Sequence, residues 1–204
     1  MLRRTWPIAL LVSIAVAGSI ADHCGVFGVT NPDRQRYNRA IARVVRVVDG
    51  DTLDIDLPDH GADTTRVRLL GIDCPEISHD ADNVDAYFGR EAADYAETEF
   101  TGRRIRVMLD PTRAVRDKHG RLLAYLYFTD GIDREIVRDA ISLNQQMIER
   151  GLAYADWRFE HAHEMRFERA ERNAMKAKIG MWKDLSRETM PLWRQRKMDR
   201  ETRR

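Results

Sequence analysis

The sequence predicts an α+β domain in which a small five-stranded β-barrel carries about three helices. Two patterns indicate this fold. Five short segments of β-branched or alternating apolar and polar residues, separated by turn residues, lie between residues 41 and 128. Beyond residue 141, apolar residues recur at every third or fourth position, as in amphipathic helices. Short strands followed by helices are typical of a barrel of the OB-fold type, and 204 residues suit one such domain with appendages.

Turn residues separate the predicted strands. The first strand is β-branched and ends at Asp49-Gly50, the second alternates and breaks at Pro58, and the third alternates and ends at Gly71. A charged loop separates the last two. The predicted strands are residues 41–48, 52–57, 66–70, 103–109 and 122–128.

Three segments have helical spacing. Residues 88–100 place small and aromatic side chains three and four positions apart, and residues 142–150 end at Gly151 in the position that favours glycine. Residues 160–178 carry one apolar stripe, which we expect to pack on the barrel. The connection at residues 131–141 is expected to form an extended hairpin or an added loop of unknown function.

The N-terminus has the layout of an export signal. Arg3 and Arg4 precede an uncharged stretch, Thr5 to Ala21, which ends in small residues. This stretch of 17 residues is also compatible with an uncleaved membrane anchor. Both interpretations place the remainder outside the cytoplasm, in the periplasm or secreted.

The expected organisation therefore has four parts. They are a signal peptide or anchor at residues 1–21, a linker or arm at 22–40, the folded domain at 41–184 and a charged tail at 185–204, which we expect to fray. A membrane is a partner only if the first segment is retained, and a monomer is expected.

Charge and cysteine content narrow the function. The 34 basic and 33 acidic residues nearly cancel, so a polyanion would have to bind a local basic face. Residues 103–121 provide one, with seven basic against two acidic residues, which favours contacts to a nucleic-acid backbone. Cys24 and Cys74 exclude a cysteine-rich zinc site. A disulfide between them and two free thiols both remain open.

Three polar clusters lie at predicted strand ends. They are Asp49-Gly50-Asp51-Thr52, Arg68-Leu69-Leu70-Gly71-Ile72-Asp73-Cys74-Pro75-Glu76 and Asp117-Lys118-His119-Gly120-Arg121. Each taken singly is explained by an ordinary turn or a solvated loop. In this order and at these strand ends, the three clusters together indicate a site.

Together the clusters resemble the staphylococcal nuclease (thermonuclease) family. The resemblance runs from about Val44 to Trp182. It includes Gly89-Arg90-Glu91-Ala92, Leu123-Ala124-Tyr125, Gly151-Leu152-Ala153 and Gly180-Met181-Trp182. It implies a calcium-dependent hydrolase that cleaves phosphodiester bonds in DNA and RNA with little sequence preference and leaves 3′-phosphate products.

The resemblance also implies a metal site. Asp51, Asp73 and the backbone carbonyl of Cys74 match the positions that hold Ca²⁺ in the family. Carboxylate and carbonyl oxygens are the ligands that Ca²⁺ prefers, and the ion would polarise a phosphate ester. Cys74 stands where the family often has threonine, but only its carbonyl is required.

Three further side chains match catalytic positions of the family. Glu76 matches the general base, and Arg68 and Arg121 match the two guanidinium groups that grip the phosphate. A planar guanidinium contacts two phosphate oxygens at once and stays charged at any working pH, whereas lysine would keep only the charge.

Substrate contacts beyond the scissile phosphate depart from the family pattern. Lys118 matches the loop lysine, but His119, Trp157 and Phe159 stand where the family carries tyrosines. The two aromatic residues are expected to stack on a base or sugar, without the phenol hydroxyls that hydrogen-bond phosphate.

The alternative function is a non-catalytic module of the same fold that binds nucleic acid or protein. Relatives of that kind typically lose the acidic and arginine positions, and here all five side chains are present. An envelope-anchored interaction protein is a third interpretation, which the N-terminal segment and the basic tail suggest.

Overall fold

The computed structural model describes residues 31–78, 84–129 and 140–202. The predicted signal or anchor, Cys24 and residues 131–139 of the longer connection lie outside these ranges. Contacts divide the chain into Met1–Arg36 and Tyr37–Arg204, and all the strands belong to the second unit. No helix within the described ranges is long and apolar enough to cross a membrane.

The described residues form seven short strands and five α-helices. The strands are β1 (Ile41–Val47), β2 (Thr52–Ile55), β3 (Thr65–Leu69), β4 (Ile72–Asp73), β5 (Arg104–Met108), β6 (Leu122–Phe128) and β7 (Tyr154–Ala155). The α-helices are α1 (Pro32–Tyr37), α2 (Gly89–Phe100), α3 (Leu143–Glu149), α4 (Glu164–Ala177) and α5 (Leu192–Thr202), with a 3₁₀ turn at Gly180–Lys183.

Five of the strands close into a barrel in the order β1-β2-β3-β6-β5, with β5 paired back onto β1. All neighbours are antiparallel except β3 and β6, which run parallel with Val67 opposite Leu122. The barrel core consists of alternate residues of these strands, as the two-residue period of a strand requires. Its members include Val44, Leu53, Ile55, Val67, Ile105, Val107, Leu122 and Leu126. The predicted α+β barrel is confirmed.

A second, two-stranded ribbon connects the barrel to the C-terminal half. In this ribbon Ile72 of β4 pairs with Ala155 of β7, and Asp73 pairs with Tyr154. The ribbon was not predicted from the sequence, because strands of two residues are too short to show alternation. It holds Asp73 at a defined position outside the barrel.

The helices cover the barrel with the faces that their spacing predicts. Ala92, Ala96 and Phe100 of α2 are buried, as are Phe167 and Ala174 of α4, so the expected packing of the apolar stripe is confirmed. Gly151, after α3, has φ 66°, and a Cβ there would lie 2.1 Å from the carbonyl oxygen of Ile179. Any residue with a Cβ would collide with this carbonyl unless the backbone shifted, so the position requires glycine.

The C-terminal segment differs from the expectation of a frayed tail, because residues Leu192–Thr202 form helix α5. Arg194 makes a buried ion pair with Glu171 of α4 at 2.8 Å, and the two side chains are only 7% and 4% exposed. Glu171 also accepts a hydrogen bond from the Ala155 amide at 3.0 Å. The helix therefore packs through a charged contact that an apolar pattern does not reveal.

Candidate active site

A cleft of about 700 Å³ lies where β2, β3 and β4 meet the loop before β6 and the segment after β7. Most of the predicted site residues line it. These are Asp51, Arg68, Asp73, Glu76, Lys118, His119, Arg121 and Phe159. The structure thus brings together the three polar clusters, which are separated in the sequence.

Asp51 is positioned by a tight turn between β1 and β2. The Asp49 carboxylate accepts hydrogen bonds from the amides of Asp51 and Thr52 at 2.9 and 2.7 Å, a local pattern that favours this turn. Gly50 lets the turn pack against Cys74, since a Cβ there would lie 2.8 Å from the Cys74 Cβ and Sγ. The Asp51 side chain is buried and accepts a hydrogen bond from the Cys74 amide at 2.8 Å.

Arg68 bridges the two aspartates of the predicted metal site. It is on β3, with one Nη atom in contact with Asp51 and the other 2.9 Å from Asp73 Oδ1. Although burial opposes it, the charges of Asp51 and Asp73 raise the pKa of Arg68, which stays cationic. Burial raises the pKa of the Asp51 carboxyl to about 8, and Arg68 limits that rise.

Asp73 has two further donors that were not predicted from the sequence. Its Oδ2 accepts a hydrogen bond from the indole Nε1 of Trp193 at 2.9 Å and from Arg158 at 3.1 Å. Arg158 is itself fixed by Asp156, with contacts of 2.7 and 2.9 Å. Asp156 and Arg158 are two residues apart, so their ion pair could have been predicted from the sequence. Trp193 is 120 residues from Asp73, and no local pattern predicts their hydrogen bond.

The donor chemistry of this site fits a hard divalent cation. One guanidinium contacts both Asp51 and Asp73, so their carboxylates are near enough to share one ion. Asp51 is buried, so a positive charge is needed to keep it ionised. The described residues contain no cluster of three or more His, Cys, Asp or Glu side chains placed to hold a metal. An ion here would therefore rely on two carboxylates, a backbone carbonyl such as that of Cys74 and water.

Cys74 itself is a buried free cysteine, and it does not line the cleft. Burial raises the pKa of its thiol well above the usual range, so the sulfur stays protonated. Its candidate partner Cys24 lies outside the described residues.

Glu76 lines the same cleft as Arg68 and Arg121. Partial burial by the cleft walls and the negative charges of Asp49 and Asp73 raise its pKa, whereas Arg68 and Arg121 oppose the shift. Its backbone is held by the segment that leads into α2, because the Glu76 carbonyl accepts the Ala86 amide at 2.9 Å. A raised pKa makes the carboxylate a stronger base.

Arg121 is held at the start of β6 by a contact with its own loop. Its Nε donates to Asp117 at 2.7 Å, its amide donates to the same carboxylate at 3.0 Å, and one Nη lies 3.4 Å from the Thr52 hydroxyl. Although burial opposes the shift, bonding to Arg121 lowers the pKa of Asp117. The guanidinium remains partly exposed, so its outer edge is accessible from the cleft.

The four predicted substrate contacts occupy different places. Lys118 and His119 are exposed at the loop tip, and Phe159 is 52% exposed at the cleft wall. Trp157 does not line the cleft. It packs near Trp193 with a centroid distance of 6.3 Å, and its substrate contact stays a prediction.

Comparison with known proteins gives consistent matches. The model of the family described as "Staphylococcal nuclease homologue" matches residues 66–184. A thermonuclease of Staphylococcus hyicus is 30% identical over 156 residues, which cover 76% of this chain and 80% of that protein. A thermonuclease of Staphylococcus intermedius is 33% identical over 140 residues, covering 68% and 74%. An uncharacterized endonuclease of Escherichia coli is 30% identical over 156 residues, covering 76% and 85%.

The family match and the fold agree. The matched residues make up more than half of the chain and run from β3 to the turn after α4. They include the cleft residues from Arg68 to Phe159 and exclude helix α5. On the strength of this match and of the closed five-stranded barrel, the chain belongs to the staphylococcal nuclease family.

Proposed function

We propose that this protein is a calcium-dependent nuclease that hydrolyses phosphodiester bonds in DNA and RNA with little sequence preference, leaving 3′-phosphate products. The observation that carries the proposal is the convergence of five charged side chains on one cleft: Asp51, Arg68, Asp73, Glu76 and Arg121. Family membership and the relatives named thermonuclease and endonuclease support a phosphodiester-cleaving hydrolase.

Asp51 and Asp73, with the carbonyl of Cys74, would hold the calcium ion. When bound, the ion supplies a Lewis acid that polarises a phosphate oxygen. The aspartates also fix the orientation of Arg68, since its two Nη atoms contact one carboxylate each.

Glu76 takes a proton from the attacking water. A carboxylate is a weak base, and partial burial together with nearby negative charge makes this one stronger. Its side chain lines the same cleft as Arg68 and Arg121, where the phosphate would bind.

Arg68 and Arg121 stabilise the negative charge that accumulates on phosphorus during attack. The two side chains enter the cleft from neighbouring strands, because β3 and β6 pair directly. Fixed guanidinium groups need no reorganisation at the moment of reaction, and they act on the phosphate without reading the base. This arrangement supports cleavage with little sequence preference.

Digestion of nucleic acid by the purified protein tests the proposal. Single-stranded DNA, duplex DNA and RNA are incubated with calcium, with magnesium and with a chelator, and the ends of the products are identified. We expect cleavage that requires calcium and leaves 3′-phosphates. Glu76→Gln should reduce the rate at least a hundredfold, following the roughly 10²–10⁴-fold contribution of general bases.

Glu97→Gln is the matched control, because Glu97 is exposed on α2 and does not line the cleft. It should cleave at the wild-type rate. A folded protein that binds nucleic acid but cleaves none under any ion would contradict the proposal and indicate the non-catalytic binding module.

A further inference from the structure

Helix α5 lies beyond the end of the family match, yet its Trp193 donates a hydrogen bond to Asp73, which lines the cleft. We propose that Trp193 is a positioning residue that orients Asp73 for metal binding and thereby sets the affinity of the site for calcium. The inference rests on the proposed function, because it takes Asp51 and Asp73 as the ligands of the ion.

The contacts of Asp73 leave one oxygen more open than the other. Oδ2 accepts hydrogen bonds from Trp193 at 2.9 Å and from Arg158 at 3.1 Å, whereas among the described residues Oδ1 has only the Arg68 contact at 2.9 Å. An ionised carboxylate has about four acceptor positions, so these three donors leave about one, on Oδ1. Oδ1 is therefore the oxygen of Asp73 that we expect to bind the ion.

Trp193 and Asp73 are both fixed to the same ribbon. Asp73 pairs with Tyr154 across β4 and β7, and the Trp193 ring packs edge-on against Tyr154 with a centroid distance of 5.8 Å. The next residue of the helix, Arg194, is held by Glu171, which in turn binds the Ala155 amide of β7. The indole N–H therefore reaches Asp73 from a rigid support.

The Trp193 ring also covers a second donor to Asp73. The Arg158 guanidinium lies 4.4 Å from the Trp193 ring centroid, in cation–π geometry. A phenylalanine at position 193 would keep an aromatic face for Arg158 and remove only the N–H donor. The substitution Trp193→Phe therefore isolates the hydrogen bond.

A neighbouring tryptophan offers a matched control. Trp182 packs against the same Tyr154 ring at 5.5 Å, but among the described residues its buried Nε1 has no hydrogen-bond partner. Trp182→Phe makes the same chemical change in the same aromatic cluster without touching Asp73. The comparison separates the hydrogen bond from the packing of the cluster.

Isothermal calorimetry of calcium binding to the wild-type protein, Trp193→Phe and Trp182→Phe tests the proposal. Loss of a group that orients a ligand typically weakens metal binding about 10–100-fold. Because Arg158 remains on the same oxygen, we expect about a tenfold higher Kd for Trp193→Phe. Trp182→Phe should bind as the wild type does. Unchanged affinity in Trp193→Phe, or an equal loss in both variants, would overturn the positioning role.

The indole N–H signals of the ¹⁵N-labelled wild-type protein provide a readout that needs no folded variant. We expect calcium to shift the Trp193 signal and to leave that of Trp182 in place. A Trp193 signal that does not move at saturating calcium would overturn the inference while the proposed function stands. Absence of any calcium binding by the wild-type protein would overturn both.

Discussion

The cleft has two walls of different origin. The barrel wall carries Asp51 and Arg68 on segments that follow each other closely in the sequence, and a local turn holds them in place. The C-terminal wall carries Arg158, which together with Trp193 of helix α5 contacts Asp73 only because distant segments dock on the barrel. The barrel wall thus carries the buried charges of Asp51 and Arg68. The C-terminal wall sets the orientation of the Asp73 carboxylate.

The largest expected effect is on the barrel wall. Arg68→Met leaves the buried Asp51 carboxylate without its cation, whereas Asp73 keeps Arg158 and Trp193. Removing one partner of a buried ion pair costs about 3–5 kcal/mol. We therefore expect the free energy of unfolding, measured with urea and a chelator at pH 9, where Asp51 with its pKa of about 8 is ionised beside Arg68, to fall by about that amount.

Arg66→Met is the control for this substitution. Arg66 lies on the same strand, but its side chain is 47% exposed and its partner Asp54 keeps Arg46 at 2.7 Å. Exposed ion pairs contribute about 0–1 kcal/mol, so this variant should lose little stability. Equal losses in the two variants would mean that Arg68 is not compensating buried charge.

The difference between the walls also explains what could be predicted from the sequence. The strands of the barrel alternate over several residues, and turn chemistry at Asp49-Gly50 and Gly71 marks their ends. The strands and turns of the barrel were therefore predictable from local pattern. The family resemblance supplied the expected roles of Asp51, Arg68, Glu76 and Arg121.

The C-terminal wall could not be predicted from a local sequence pattern. The ribbon strands β4 and β7 have two residues each, too few to show a period. Helix α5 is mostly charged, and it docks through the pair Arg194–Glu171 and the hydrogen bond from Trp193 to Asp73. Contacts of this kind depend on tertiary placement, so composition suggested a frayed tail where a helix contacts the cleft residue Asp73.

The second-largest expected effect concerns His161, which lies in the hydrogen-bond network that holds the C-terminal wall in place. His161 is buried beneath Gly71, where a Cβ would lie 2.4 Å from its ring, and its Nδ1 lies 2.9 Å from the Tyr125 hydroxyl. Tyr125 donates to Asp110 at 2.8 Å, and Asp110 also binds the Ala162 amide. This network fixes the segment that continues from Arg158 into α4.

Burial lowers the pKa of His161 to about 4, below the ordinary value of 6.5. At neutral pH the imidazole is uncharged in both the folded and the unfolded state. As the pH falls below 6.5 the unfolded chain binds the proton first, so stability is lost until the folded state is protonated near pH 4. The loss amounts to about 3.5 kcal/mol at most, at about 1.4 kcal/mol per pKa unit.

Urea unfolding at several pH values between 7 and 4 measures this dependence. His161→Gln, which does not titrate, should lose less stability over that range than the wild type. His60→Gln, at a side chain that is 75% exposed, should keep the wild-type slope. Identical slopes in all three proteins would show that His161 does not contribute to the acid sensitivity.

The smallest expected effect concerns Arg121, and it separates the contribution of positive charge from that of guanidinium geometry. Arg121→Lys keeps the positive charge but loses the fork that lets Asp117 hold Nε while the outer nitrogens face the cleft. We expect kcat to fall roughly tenfold to a hundredfold, or about 1.4–2.7 kcal/mol of transition-state stabilisation, with little change in thermal stability. Arg172→Lys, at a side chain 65% exposed on α4, should have wild-type kcat. If Arg121→Lys also turned over at the wild-type rate, charge alone would suffice at this position, and the fixed guanidinium would have no part in catalysis.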